Sequence, residues 1–188
     1  MQLNQIPGIL FVDCWEDQNL EQFYHRVKPQ LNLLQFSSVC VANYGLALDS
    51  TDPAQRNTLL AYSWNEYIPD MLKGITREAQ EKSTANWIRE SFKTQSFLIL
   101  DPECLDYHIN YLVPHAQDWL IVGGSWDLCL RGRPICIDSL KKLSYNFYIT
   151  PWSIYDVNSN DLSTTVEQIN SDPAGWINLG NNLYQLSK

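Results

Sequence analysis

The segment WLIVGGSWDLCLRG, residues 119–132, joins a run of apolar residues to two glycines and then to a cysteine. A continuous apolar run is typical of a strand buried on both faces of a sheet. Two glycines directly after such a strand predict a tight turn, because glycine adopts backbone conformations that other residues avoid. Cys129 lies just beyond this turn. The segment therefore predicts either a turn that closes a core strand or the position of a nucleophile.

Further apolar runs and helical patterns alternate along the chain on both sides of this segment. The other predicted strands are residues 8–13, 37–44, 96–101 and 146–151. The predicted helices are residues 19–34, 76–93, 101–116 and 129–144, and Pro29 is expected to kink or end the first of them. This alternation predicts an α/β fold with a mostly parallel central sheet and helices on both faces.

The length of 188 residues fits a single domain covering residues 1–188. Within it, residues at about 45–92 form an aromatic insertion with turn signals, and residues 152–188 form a polar C-terminal extension. The last part of this extension, GWINLGNNLYQLSK, predicts a hairpin or an edge strand.

Composition narrows the class of protein. The formal net charge of −8 argues against nucleic-acid binding and against attraction to an anionic membrane, since both depend on lysine and arginine. The five cysteines include no pair with CxxC spacing, which argues against a zinc knuckle and a secreted disulfide framework. The N-terminus has no signal-peptide pattern, and no run approaches the ~20 apolar residues needed to span a bilayer. We expect a soluble, cytoplasmic protein.

Functional residues of an open parallel sheet gather beyond the carboxyl ends of its strands. This rule selects Asp13 after the first strand, Asn43 and Tyr44 after the second, Asp101 after the third and residues 125–129 after the fourth. If the first and fourth strands are neighbours, Asp13 and Cys129 can meet at one edge of the sheet.

Two of these segments resemble the isochorismatase-like family of cysteine hydrolases, which includes the nicotinamidases. ILFVDCWEDQ is similar to the family's first strand, roughly LLVIDMQNDF, with Asp13 and Asp17 at its two acidic positions. IVGGSWDLCL is similar to the nucleophile strand, roughly VVGVATDVCV, and matches at Val122, Gly123, Asp127 and Cys129. The family then has a helix with an Asp-Ala pair and a strand, to which CIDSLKKLSYNFYIT is similar. The resemblance covers both ends of residues 8–150.

The resemblance implies a Rossmann-like three-layer fold and hydrolysis of an amide, imide or related C–N or C–O bond in a small metabolite. It implies that Cys129 is the nucleophile, that Asp13 is the base, and that the turn at Gly124 and Ser125, where the family has a cis peptide bond, helps to hold the oxyanion. The predicted pocket-lining residues are Trp15, Tyr44, Asp101 and Trp126.

The family's catalytic lysine at the end of the third strand is replaced here by Asp101, and Trp126 stands where members usually have threonine. A second interpretation is therefore a non-catalytic binding or structural protein that keeps the fold. A third is an unrelated α/β protein in which the two motifs match by chance.

The three histidines, His25, His108 and His115, lie outside the family's metal-binding region, so we expect neither a metal nor another cofactor. The expected partners are a small-molecule substrate and further copies of the chain, with residues 60–72 as the interface.

Overall fold

The structure is a computed structural model, and it describes residues 1–12, 18–42, 91, 96–100, 116–124, 126, 130, 137–155 and 161–188. The described strands are β1 (Gly8–Val12), β2 (Ser38–Ala42), β3 (Ser96–Leu100), β4 (Asp118–Gly123), β5 (Asn146–Ile149), β6 (Trp176–Asn178) and β7 (Tyr184–Leu186). The described helices are a 3-10 turn at Leu3–Gln5 and the α-helices α1 (Gln18–Leu31), α2 (Ile137–Lys141) and α3 (Leu162–Ser171). Together they form a mixed α/β fold.

The strands form one sheet in the order β3-β2-β1-β4-β5-β7-β6. The pairs β2–β3, β1–β2, β1–β4 and β4–β5 are parallel. The last two strands form an antiparallel hairpin, and β7 also pairs antiparallel with β5. A parallel part is thus extended on one side by a hairpin.

Both faces of the sheet are buried at β1 and β4, which explains the continuous apolar runs of these strands. Ile9 and Phe11 of β1 pack on the face that carries α1, together with Phe23, Val27 and Leu31 of that helix. The alternate β1 residues, Leu10 and Val12, pack on the opposite face in a cluster that includes residues of α2 and α3. Because a side chain on either face is removed from water, these strands lack the alternation of polar and apolar residues that is typical of a strand with one face in water.

The five strands predicted from apolar runs are confirmed as β1 to β5, with ends that differ by one or two residues. Helix α1 is also confirmed, and it ends at Leu31 rather than at residue 34. Pro29 lies in its last turn, where its missing N–H removes one of the final backbone hydrogen bonds. Of the helix predicted over 129–144, the described helical residues are those of α2. The helices predicted over 76–93 and 101–116 lie almost entirely outside the described residues.

The C-terminal extension contains more regular structure than its polar composition predicts. Its expected hairpin is confirmed as β6 and β7. It also contains α3, which was not predicted from the sequence. The Asp161 side chain caps this helix by accepting a hydrogen bond from the Ser163 backbone N–H at 3.0 Å. Thr165 and Ile169, one turn apart, are its buried residues, so the tail packs onto its own chain.

None of the helices in the described part of the chain is long and apolar enough to cross a membrane.

Candidate functional site

The strand order reverses between β1 and β4. From β1 the chain continues to β2 and β3 on one side, whereas β4 and β5 lie on the other side. The helix after β1 packs on one face of the sheet, and the helix between β4 and β5 packs on the opposite face. Ligands of open α/β sheets bind beyond the carboxyl ends of the strands at such a reversal. The candidate site therefore lies where β1 and β4 end.

The carboxyl ends of β1 and β4 are level with each other. Phe11 pairs with Val122, and Val12 pairs with Gly123. The condition under which Asp13 and Cys129 were expected to meet, that their strands are neighbours, is therefore fulfilled. Asp13 directly follows Val12, and Cys129 follows Gly123 by six residues. Both residues lie outside the described part of the chain.

The paired glycines at the end of β4 are required by the backbone. Gly123 has φ 84° and Gly124 has φ 74°, both in the region that glycine tolerates and other residues avoid. A Cβ atom on Gly123 would stand 2.7 Å from the Val12 carbonyl oxygen. A Cβ atom on Gly124 would stand 3.2 Å from Val12 Cγ1 and from Leu130 Cδ2. The turn after β4 thus lies directly against the end of β1.

The segment after β5 holds this glycine turn through backbone hydrogen bonds. The Gly123 N–H donates to the Ser153 carbonyl oxygen at 2.8 Å, and the Tyr155 N–H donates to the Gly124 carbonyl oxygen at 3.3 Å. The Trp126 N–H donates to the Tyr155 carbonyl oxygen at 3.0 Å. The N–H groups of Gly123 and Trp126 are thus already engaged within the fold.

A buried serine shapes the turn that follows β5. The Ser153 hydroxyl donates to the Thr150 carbonyl oxygen and accepts from the Thr150 N–H, both at 3.0 Å. Ser153 has no exposed surface, and Thr150 is 2% exposed. The Thr150 hydroxyl oxygen is shielded from solvent and has no hydrogen-bond partner among the described residues. The Ser153 hydroxyl thus fixes the backbone that in turn holds Gly123.

Trp126 was predicted to line the pocket. Its side chain is 5% exposed and belongs to the core cluster on the face of α2 and α3. Its ring lies 6.3 Å from the ring of Trp176, at an interplanar angle of 44°. The Trp176 indole N–H donates to Asp172 Oδ2 at 3.0 Å. Trp126 therefore connects the turn after β4 to the C-terminal part of the chain, and its contact with a ligand stays a prediction.

Tyr24 of α1 also lies beside the carboxyl ends of β1 and β4. The sequence did not identify it as a candidate site residue. The residue is 1% exposed, and its hydroxyl oxygen would stand 3.2 Å from a Cβ atom on Gly123. Its spacing of three and seven residues from the core positions Val27 and Leu31 is the signal that could have identified it. Tyr24 adds a phenol group beside the end of β4.

Of the predicted site residues, Gly124 and Trp126 are described, and the structure brings both to the turn after β4. The others lie outside the described residues: Asp13, Trp15, Tyr44, Asp101, Ser125 and Cys129. The bond from Gly124 to Ser125, at which the family's cis peptide was expected, lies outside them for the same reason.

Cys40 is a packing residue of the core. It lies in β2 with no exposed surface, in the core cluster on the face of α2 and α3. Burial raises the pKa of its thiol far above the ordinary value, because the apolar surroundings disfavour the thiolate. Cys40 is therefore an inert thiol.

Histidine, cysteine, aspartate and glutamate side chains within the described residues form no cluster that could hold a metal ion. His25 is exposed on α1.

Comparison of the chain with protein-family models, with curated proteins and with solved structures gives no match.

Proposed function

We propose that the chain is an isochorismatase-like cysteine hydrolase that cleaves an amide, imide or related C–N or C–O bond of a small metabolite. The observation that carries this proposal is the parallel pairing of β1 with β4, which places Val12 opposite Gly123. The chain segments with Asp13 and Cys129 leave the sheet from these two neighbouring ends. A nucleophile and its base must lie within hydrogen-bond reach of each other, and adjacent strand ends favour this arrangement.

The proposed fold is the family's Rossmann-like three-layer arrangement, with the predicted mostly parallel sheet as its middle layer. The order β3-β2-β1-β4-β5 supports it, because the same order occurs in doubly wound sheets. The helices on the two faces support it as well, since right-handed crossovers in opposite directions place their helices on opposite faces.

In the proposed reaction, Asp13 takes the proton of the Cys129 thiol as the sulfur attacks the carbonyl carbon of an amide. The C–N bond then breaks, and Asp13 returns the proton to the departing amine. Water hydrolyses the resulting thioester, which releases the carboxylic acid and restores the thiol.

The oxyanion needs backbone donors near the nucleophile. The N–H groups of Gly123 and Trp126 already donate to Ser153 and Tyr155. This supports the assignment of the oxyanion contact to the stretch of Gly124 and Ser125 and to the backbone near Cys129.

A hydrolysis screen tests the proposal. Nicotinamide-like amides and imides would be incubated with the wild-type protein, with Cys129→Ala and with Cys40→Ala, and product acids would be measured. We expect turnover by the wild type and by Cys40→Ala, because Cys40 is buried away from the site, and none by Cys129→Ala. Turnover that survives Cys129→Ala would contradict the proposal.

The second candidate is a non-catalytic binding protein with the same fold. Its support is Asp101, which stands where the family has a catalytic lysine. An aspartate there would raise the pKa of a neighbouring thiol by charge repulsion. Calorimetric titration with the same compounds separates the two functions, because a binding protein takes up a compound and releases no product.

A further inference from the structure

A short turn at residues 172–176 joins α3 to β6, and its first residue holds it in shape. Asp172 is 8% exposed, and its carboxylate accepts hydrogen bonds from the Ala174 N–H at 2.8 Å and from the Trp176 indole N–H at 3.0 Å. The Gly175 N–H donates to the Asp172 backbone carbonyl oxygen at 3.0 Å. Hydrogen bonds to a buried carboxylate are strong, so they fix the Trp176 ring as well as the turn.

The last residue of this turn contacts the segment that follows β4. The Trp176 ring packs against the ring of Trp126, with 6.3 Å between the centroids, and it is partly buried against the same core cluster. The backbone of Trp126 is held separately, because its N–H donates to the Tyr155 carbonyl oxygen. The contact with Trp176 therefore determines where the Trp126 side chain lies.

The middle of the turn contacts the helix that comes after the same segment. The Ala174 carbonyl oxygen accepts a hydrogen bond from Lys141 Nζ at 2.6 Å. Lys141 is the last residue of α2, and Ile137, the first residue of this helix, donates its N–H to the Leu130 carbonyl oxygen at 2.8 Å. Ala174 and Leu130 also belong to one core cluster. The turn is thus connected to Leu130 through α2.

We infer that the 172–176 turn positions the segment that carries Cys129. In the sequence, Cys129 lies between Trp126 and Leu130. The turn contacts Trp126 on one side of the cysteine, and it is connected to Leu130 on the other side. The inference rests on the proposed function, in which Cys129 is the nucleophile.

Trp176 and Lys141 are positioning residues in this arrangement. Trp176 acts through Trp126, and Lys141 acts through α2, so neither has to touch the substrate. The rate of nucleophilic attack depends steeply on placement, and a displacement of about 1 Å can slow it about a hundredfold. Loss of either contact should therefore slow the chemical step and leave substrate binding nearly unchanged.

Two variants remove these contacts one at a time. Trp176→Phe removes the indole N–H that donates to Asp172, and it puts a smaller ring beside Trp126. Lys141→Met removes the ammonium group that donates to Ala174 and keeps an apolar stem of similar length. Because Lys141 lies outside the hairpin, this variant tests the inference even if Trp176→Phe unfolds.

Each variant has a matched control. Lys142→Met is the control for Lys141→Met, because Lys142 is the next residue and is exposed. Gly180→Ala is the control for Trp176→Phe. Gly180 has φ 90°, so alanine there strains the same hairpin and leaves the 172–176 turn unchanged in sequence.

The first readout is the rate of Cys129 alkylation by iodoacetamide as a function of pH, which needs no turnover. In both variants we expect the apparent pKa of the thiol to move toward the ~8.5 of a free thiol, because the sulfur leaves the place in which its surroundings favour the thiolate. For a compound that the wild type hydrolyses, kcat should fall about tenfold or more, and KM should stay within about twofold. Both controls should behave as the wild type does.

An unchanged pH profile and an unchanged kcat in both variants would overturn the inference. Equal changes in the controls would overturn it as well, because they would show a general effect of lower stability. If the wild type hydrolyses no compound of the screen but the variants shift the pH profile, the proposed hydrolysis fails and the positioning of Cys129 stands. Turnover by the wild type, with both measurements unchanged in the variants, would give the reverse result.

Discussion

The carbonyl oxygen of Val12 lies only 2.7 Å from the point at which a Cβ atom on Gly123 would stand. These two residues are also paired across β1 and β4. The contact explains why a glycine ends this strand, because any side chain would push the ends of the two strands apart. The two chain segments that carry the proposed nucleophile and base begin at this contact.

Gly123→Ala should therefore destabilise the protein strongly. The substitution adds the cost of a positive φ for alanine, about 1–2 kcal/mol, to a clash with backbone that cannot move away, about 1–3 kcal/mol. We expect the free energy of unfolding, measured by urea denaturation, to fall by about 3 kcal/mol.

Gly180→Ala is the control for this substitution. Gly180 has φ 90°, but among the described residues no atom beyond its chain neighbours lies within 4 Å of the point at which its Cβ atom would stand, so alanine there bears the conformational cost without the clash. Its expected loss is about 1 kcal/mol. Equal losses for the two variants would show that the contact with Val12 has no energetic importance.

Tyr148 is expected to make stability depend on pH in alkaline solution. Burial, together with the hydrogen bond that its hydroxyl donates to Asp118 Oδ1 at 2.9 Å, raises its pKa well above the ordinary value. The protonated phenol is favoured in the folded state, so its contribution is complete below about pH 10, the pKa of an unfolded tyrosine. It is lost as the pH rises above that value.

Tyr148→Phe should lower the free energy of unfolding at neutral pH by about 1 kcal/mol, through loss of the hydrogen bond. It should also make the decline in stability above pH 10 shallower. Tyr145→Phe is the comparison, because burial alone raises the pKa of Tyr145 and its smaller shift should give a smaller change. Denaturation curves between pH 8 and pH 11 measure both effects, and identical slopes for wild type and Tyr148→Phe would contradict the assignment.

The turn after β5 offers a matched pair of hydroxyl substitutions. Ser153→Ala removes two buried hydrogen bonds to Thr150, and it should lower the free energy of unfolding by about 1–3 kcal/mol. Thr150→Val removes a buried hydroxyl that has no partner among the described residues. It should be neutral or stabilising, because the cost of burying an unsatisfied polar group disappears.

Thermal unfolding of Ser153→Ala and Thr150→Val distinguishes a hydroxyl that stabilises the turn from one that is only buried in it. If Thr150→Val destabilises as much as Ser153→Ala, the Thr150 hydroxyl has a structural partner. If the Thr150→Val variant is as stable as the wild type but no longer binds a compound of the screen that the wild type binds, the hydroxyl contacts that compound.

The parallel strands could be predicted from the sequence because each is a short apolar run, and the described side chains of β1 and β4 are buried on both faces of the sheet. Helix α3 was missed because the tail is rich in Asn, Ser and Asp, although Leu162, Val166 and Ile169 recur at helical spacing after the capping residue Asp161. The hydrogen bonds that join Gly123 to Ser153 and Trp126 to Tyr155 were also missed. They connect segments far apart in the sequence, and no local pattern encodes such pairing. The helical spacing of Tyr24 predicts that it is buried, but its place beside Gly123 depends on how α1 packs on the sheet.

The most direct test of the central claim, that Asp13 activates Cys129 across the ends of β1 and β4, is the rate of Cys129 alkylation by iodoacetamide as a function of pH. Cys129→Ala supplies the background rate, and Cys40 serves as a buried, slowly reacting thiol in the same molecule. We expect Cys129 to react fastest, with an apparent pKa below the ~8.5 of a free thiol, because the helix predicted over 129–144 begins at this residue and the positive end of a helix dipole favours the thiolate. Asp13→Asn should change this pH profile, because it removes the base that takes the thiol proton. A Cys129 that titrates as an ordinary thiol, with the same profile in Asp13→Asn, would contradict the claim.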